Sequence, residues 1–85
     1  MNRELVYDSA AVKAAIGLGW HPAPWNRKAK RYFSFYGPER FTVIVTPSGE
    51  LSFTVGHQST THQPQAINWL QTAAGKSIKE RQCYT

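Results

Sequence analysis

The sequence predicts a small α+β domain in which two helices pack on one face of a three-stranded antiparallel sheet, in the order α-β-β-β-α. Three observations lead to this class. Three short segments alternate apolar and polar residues, and two flanking segments carry apolar residues at helical spacing. The chain has 85 residues, 41% of them hydrophobic and 18% charged. This length and composition fit one folded domain spanning residues 1–85 and exclude a disordered chain.

The first helix is predicted over Ala10–Ile16, after a short apolar lead-in at Leu5–Tyr7. Asp8 or Ser9 can cap it, because the side-chain oxygen of either residue can accept a free backbone N–H of the first turn. Apolar residues spaced i, i+3 and i+4 predict a core face made of Val12, Ala15 and Ile16. Two glycines are predicted to end the helix: Gly17 and Gly19.

Alternation and β-branched residues predict three strands: Arg31–Tyr36, Phe41–Thr46 and Leu51–Val55. Their inner faces are predicted to carry Phe33, Phe35, Phe41, Val43, Val45, Leu51, Phe53 and Val55. Proline- and glycine-containing turns join the strands into an antiparallel meander. Trp20–Trp25 holds two prolines and is predicted to be a loop or a poor edge strand, and Gly56–Gln63 is predicted to be a polar loop.

The second helix is predicted to begin near Thr60 or Thr61 and to end at Gly75, which suits the left-handed conformation after a helix. Its inner stripe is predicted to consist of Ile67, Leu70 and Ala74. We expect residues 76–85 to form a short basic tail of flexible chain.

Charge gives the first indication of function. Ten Lys and Arg residues against five Asp and Glu residues give a formal net charge of +5, which favours anionic partners such as nucleic acid. The charges are unevenly distributed. No acidic residue lies between Asp8 and Glu39, and residues 51–75 contain no Asp, Glu, Lys or Arg.

The basic segment Asn26–Arg31 carries the strongest functional signal, because several cations on one loop can neutralise phosphates and a flanking ring can stack on a base. The residues predicted to bind nucleic acid are Trp25, Arg27, Lys28, Lys30, Arg31, Tyr32 and Arg40. Three cations of the tail can extend this surface: Lys76, Lys79 and Arg81. An ordinary solvated loop with an aromatic anchor at each end is the alternative interpretation.

The second helix is the other candidate surface, because helices that face water usually carry Lys and Glu and this one carries amides. Such a face suits a protein interface, and Trp69 is expected to lie half in the core. The residues predicted for this interface are Gln65, Asn68, Trp69 and Thr72.

Enzymatic chemistry is not predicted. The five carboxylates are scattered, and the sequence has neither a phosphate-cradling glycine loop nor a nucleophile elbow. One cysteine, Cys83, excludes an intramolecular disulfide, and the three histidines have no zinc-type spacing. We therefore expect no metal and no cofactor, although His57 or His62 could supply the single imidazole that RNA cleavage requires.

The sequence contains no apolar run of the roughly 18 residues that a membrane span requires, and its first residues do not resemble a signal peptide. The sequence therefore predicts a cytoplasmic protein with no membrane partner.

The predicted element order resembles that of double-stranded-RNA-binding domains and of the related HicA-type toxin ribonucleases. The likeness to the toxins covers about residues 9–76. It rests on a helix ending in Gly19-Trp20, a basic stretch before an aromatic strand, Phe41-Thr-Val-Ile-Val45, and a helix closing with Leu70-Gln-Thr-Ala-Ala-Gly75. The resemblance implies the αβββα fold and RNA as a partner.

The site residues of these families do not carry over. The toxins resemble one another around a Gly-Ser-His before a strand, and the corresponding stretch here, Arg27–Tyr32, has no histidine. The RNA-binding domains present a lysine cluster at the start of their second helix, whereas this helix begins Thr60-Thr-His-Gln63.

Three functional hypotheses follow. The first is a non-enzymatic nucleic-acid-binding or regulatory module that uses the basic segment. The second is a small protein-binding regulator or inhibitor of the kind that phages and plasmids encode, acting on a host protein or nucleoprotein complex, or forming a homodimer. The third is a HicA-like ribonuclease.

Overall fold

The computed structural model describes residues 2–83 and the side chains of residues 2–75. Its main feature is an antiparallel sheet that two helices precede in the chain and a third helix follows. Within these residues the elements are α1 (Asn2–Asp8), α2 (Ala10–Gly17), β1 (His21–Pro22), a 3₁₀ helix (Pro24–Arg27), β2 (Tyr32–Tyr36), β3 (Phe41–Val45), β4 (Leu51–Val55), β5 (Gln58–Thr60) and α3 (Gln63–Cys83). The α+β class is confirmed.

The described sheet has five strands in the order β1-β2-β3-β4-β5, two more than the sequence predicted. The predicted meander is its centre. At one edge His21–Pro22 pairs with β2, where a proline is tolerated because an edge strand needs no N–H on its outer side. At the other edge the prediction of a loop at Gly56–Gln63 is wrong. Gly56 adopts a positive φ of 62°, which permits the tight turn into Gln58–Thr60.

The core lies on one face of the sheet. The buried strand residues are those of the predicted inner faces, except that Leu51 is partly exposed. They form one cluster with buried residues of all three described helices, so the helices cover this face. The opposite side, here called the open face, consists of Tyr32, Ser34, Tyr36, Thr42, Ile44, Ser52, Thr54 and Ser59, which the strand register places side by side.

The first helices differ from the prediction in two respects. The short apolar lead-in at Leu5–Tyr7 is part of a helix that was not predicted, α1, and its Val6 is fully buried. The predicted cap at Ser9 is confirmed, since its Oγ accepts the Val12 N–H at 3.3 Å. Ile16 is 46% exposed, so its placement in the core was wrong. Ala11 takes that place because α2 turns its 11–12–15 face toward α3.

The last helix is longer than predicted. Gly75 does not end it, because this glycine has no positive φ and α3 continues to Cys83. The inner stripe contains Leu70 and Ala74 as expected, but Ala66 is buried in place of Ile67, which is partly exposed. The tail cations and the Cys83 thiol belong to the part of the chain whose side chains are outside the described residues.

Candidate nucleic-acid interface

The 3₁₀ helix Pro24–Arg27 is fixed to the sheet by the side chain of Asn26. The Asn26 amide is buried, with 1% of its surface exposed. Its Nδ2 donates to the Ser34 carbonyl at 2.9 Å, and its Oδ1 accepts the Ser34 N–H at 3.1 Å. The same Nδ2 lies 3.3 Å from the Tyr7 hydroxyl. Asn26 therefore completes the edge of β2 beyond the two residues of β1, as a neighbouring strand would.

The residues on either side of Asn26 lie on different sides of this edge. Trp25 lines a depression together with Tyr36, on the open face. Arg27 lines depressions together with Arg3 of α1, on the side that the helices cover. One short helix thus supplies an aromatic ring to one surface and a cation to the other.

The cation side is a depression of about 550 Å³, here called the basic depression, lined by Asn2, Arg3, Arg27, Ala29, Lys30 and Arg31. Its four cations are exposed, and its described lining contains no carboxylate. A hydrogen bond of 2.6 Å from Asn2 Nδ2 to the Lys30 carbonyl joins α1 to the basic segment. This contact brings Arg3 next to cations that lie at least 24 positions later in the chain. Clustered cations of one sign raise the local concentration of anions.

The aromatic side is a depression of about 560 Å³ at the end of the β2–β3 hairpin. The rings of Trp25 and Tyr36, here called the aromatic corner, meet edge to face with centroids 5.6 Å apart and planes at 89°. Both rings are more than half exposed. Polar side chains share the depression with them: Ser34, Glu39, Arg40 and Thr42.

The turn of the β2–β3 hairpin, which lines the aromatic depression, is held by Trp20. Its ring is fully buried, and its Nε1 donates to the Glu39 carbonyl at 2.9 Å. A Cβ at Gly37 would lie 2.7 Å from the Trp20 ring, so the close approach of turn and ring requires glycine there. The turn that carries Glu39 and Arg40 is thus built against the core.

The structure separates the predicted nucleic-acid-binding residues into groups. Arg27, Lys30 and Arg31 come together in the basic depression, and Trp25 and Arg40 share the aromatic depression. Tyr32 stands on the open face opposite Ile44 with 65% of its surface exposed. Lys28 is exposed and lines neither depression.

Among the cations and exposed rings of these surfaces, two were missed by the sequence analysis: Arg3 and Tyr36. Arg3 lies before the predicted lead-in at Leu5–Tyr7, in a stretch with no predicted element, and nothing in its neighbourhood links it to the basic segment. Tyr36 had a signal, because the alternation of β2 already placed it on the face of Tyr32. Its contact with Trp25 could not be predicted, since that contact depends on the 3₁₀ helix.

The residues predicted for a protein interface lie along α3. Gln65, Asn68 and Thr72 are exposed, and Trp69 is partly buried against the core. Gln65 Oε1 accepts a hydrogen bond of 2.7 Å from the Thr60 hydroxyl, so this amide is already held by β5.

The histidines are exposed and separate: His21 lies on β1, His57 in the β4–β5 turn and His62 just before α3. Within the part of the chain that was searched, no three His, Cys, Asp or Glu residues come close enough to hold a metal ion. None of the described helices combines the length and apolar character needed to cross a membrane. No protein-family model, curated protein or solved structure matches this chain.

Proposed function

We propose that this protein is a non-enzymatic nucleic-acid-binding module whose basic depression holds the phosphate backbone. The observation that carries the proposal is the joining of Arg3 to Arg27, Lys30 and Arg31 in one depression without a described carboxylate in its lining. An ordinary solvated loop would require neither a contribution from α1 nor a lining whose charged side chains are all positive. Like charges that line one depression repel one another, and an anion that binds there offsets the repulsion.

Arginine is suited to this task because its planar guanidinium can donate two hydrogen bonds to one phosphate, and three of the four cations are arginines. Such contacts position the nucleic acid without reading its sequence. The nearby exposed rings of Trp25 and Tyr32 support the same function, since rings of this kind stack on bases.

The test is the salt dependence of binding. If the basic depression neutralises three to four phosphates, the log-log salt slope is about −2 to −4, depending on strandedness. Replacing Arg3, Arg27, Lys30 and Arg31 together with Ala should flatten the slope and weaken binding of every sequence alike. The control is Lys13→Ala, an exposed cation on α2. A folded quadruple variant that binds as well as the parent would refute the proposal.

A second candidate is a protein-binding regulator or inhibitor of the kind that mobile elements encode. It is supported by the uncharged, exposed row formed by Gln65, Asn68 and Thr72 at helical spacing on α3. It predicts a homodimer, or a stable complex with a protein, that is lost when Asn68 and Thr72 are both replaced with Lys. Sedimentation of the free protein as a monomer, with unchanged partner recovery by the double variant, would contradict it.

A further inference from the structure

We infer that the open face binds single-stranded nucleic acid, with one base in the aromatic corner and another on Tyr32. This inference rests on the proposed function and specifies its ligand. The basic depression alone would accept single strands and duplexes, because phosphates are present on both. The open face distinguishes the two.

Three aromatic rings of this region are exposed to solvent. Of the described aromatic side chains, Trp25, Tyr32 and Tyr36 are 55%, 65% and 53% exposed, while the four Phe side chains and Trp20 are buried. A domain of 85 residues has a small core and gains little by leaving large rings in water. All three rings lie at the open face or its edge, so they form one surface.

The spacing of the two tyrosine rings suits two bases. Tyr32 and Tyr36 are four residues apart on β2 and point to the same side, which separates them by about 13 Å at the rise of a β-strand. That distance allows two separate bases to stack, one on each ring. The side chains between them are small and hydroxyl-bearing, including Ser34 and Thr42. No large side chain of that row therefore separates the two rings.

The aromatic corner can hold a base in two ways at once. Since its two rings are perpendicular, a flat base can stack on one ring while its edge meets the other. Arg40 and Glu39 line the same depression. The guanidinium can donate to base carbonyls or to a phosphate, and the Glu39 carboxylate can accept a hydrogen bond from an exocyclic amino group.

The neighbouring basic depression favours nucleic acid as the ligand of this surface. The open face has no Asp, Glu, Lys or Arg among its eight members, and the basic depression lies on the other side of the edge that Asn26 closes. A strand that crosses this edge can place its phosphates against Arg27 and its bases against Trp25. A duplex cannot do so, because its bases stay stacked inside the helix.

The experiment compares four probes of equal length: single-stranded oligothymidine, oligouridine, a duplex, and an abasic strand that keeps the phosphates. We expect the parent to bind both single strands more tightly than the abasic strand. Trp25→Ala and Tyr36→Ala should each weaken binding of the two single strands about 5- to 150-fold and leave the abasic strand unchanged. Trp25→Phe and Tyr36→Phe should retain most of the affinity, because a ring remains. Ile16→Ala, an exposed apolar residue on α2, is the matched control.

The outcomes separate the two proposals. Equal binding of the normal and abasic strands, with a steep salt slope, would overturn the stacking inference and leave the proposed function standing. Duplex bound more tightly than single strands would do the same. Failure of every probe to bind would overturn both. A folded Ala variant at either ring that binds single strands like the parent would remove that ring from the site.

Discussion

Asn26 and Ser34 are joined by two hydrogen bonds, of 2.9 Å and 3.1 Å, between the side-chain amide of one and the backbone of the other. The pair ties the 3₁₀ helix to β2 and determines where its neighbours Trp25 and Arg27 project. Both proposed binding surfaces therefore depend on a residue that is buried and that touches no ligand in our proposal.

Asn26→Ala should lower the free energy of unfolding by about 1–3 kcal/mol, because it leaves the Ser34 N–H without its partner, while the Ser34 carbonyl keeps its hydrogen bond from the Ala23 N–H. It should also weaken nucleic-acid binding by releasing the 3₁₀ helix. Denaturant unfolding measures the first effect. The control is Asn68→Ala on exposed α3, which should change stability by less than about 0.5 kcal/mol. Equal stabilities of the two variants would show that the Asn26–Ser34 pair contributes little.

Arg3 and Lys28 give opposite expectations from sequence and from structure. Lys28 lies within the basic segment but does not line the basic depression, whereas Arg3 is distant in sequence and does. Arg3→Ala should reduce the salt slope by about 0.7–0.9, the loss of one phosphate contact, and Lys28→Ala should leave it nearly unchanged. The reverse result would mean that the loop binds as a flexible segment without α1.

Gly75→Ala should raise the free energy of unfolding by about 0.5–1 kcal/mol, because alanine is the better residue inside a helix. Apart from its chain neighbours and the adjacent backbone of its own helix, no described atom lies within 4 Å of the position that its Cβ would take. If Gly75 instead ended the helix in the left-handed conformation, the same substitution would be destabilising. Thermal or denaturant unfolding of the two proteins decides between these structures.

Purified protein treated with EDTA should leave single-stranded RNA intact at high concentration, as expected of a binding module. The ribonuclease hypothesis instead predicts metal-independent cleavage that stops in His57→Ala or His62→Ala. Gel analysis of labelled RNA over time distinguishes the two. Cleavage that persists in both variants would indicate a contaminating nuclease, and cleavage lost in one of them would establish the enzyme.

Local patterns in the sequence were enough to predict the α+β class, the three central strands and, except for the partly exposed Leu51, their inner faces. Alternation is a local property: Phe41, Val43 and Val45 share a face in any extended chain, and one buried face is enough to fix the sheet. The sequence also limited the cap of α2 to Asp8 or Ser9, because a cap needs nothing beyond its own helix, and Ser9 is the one observed. The edge strand Gln58–Thr60 was missed because its residues are polar, and pairing depended on the turn at Gly56.

Which charged and aromatic residues lie next to one another depends on long-range contacts of the fold. Arg3 joins Arg27 because α1 folds onto the basic segment, and Trp25 meets Tyr36 because Asn26 binds β2. Neither contact leaves a periodic trace in the sequence, since each joins segments that are distant or irregular. The continuation of α3 past Gly75 also could not be predicted from the sequence, because the φ angle of a glycine is set by its surroundings rather than by its identity.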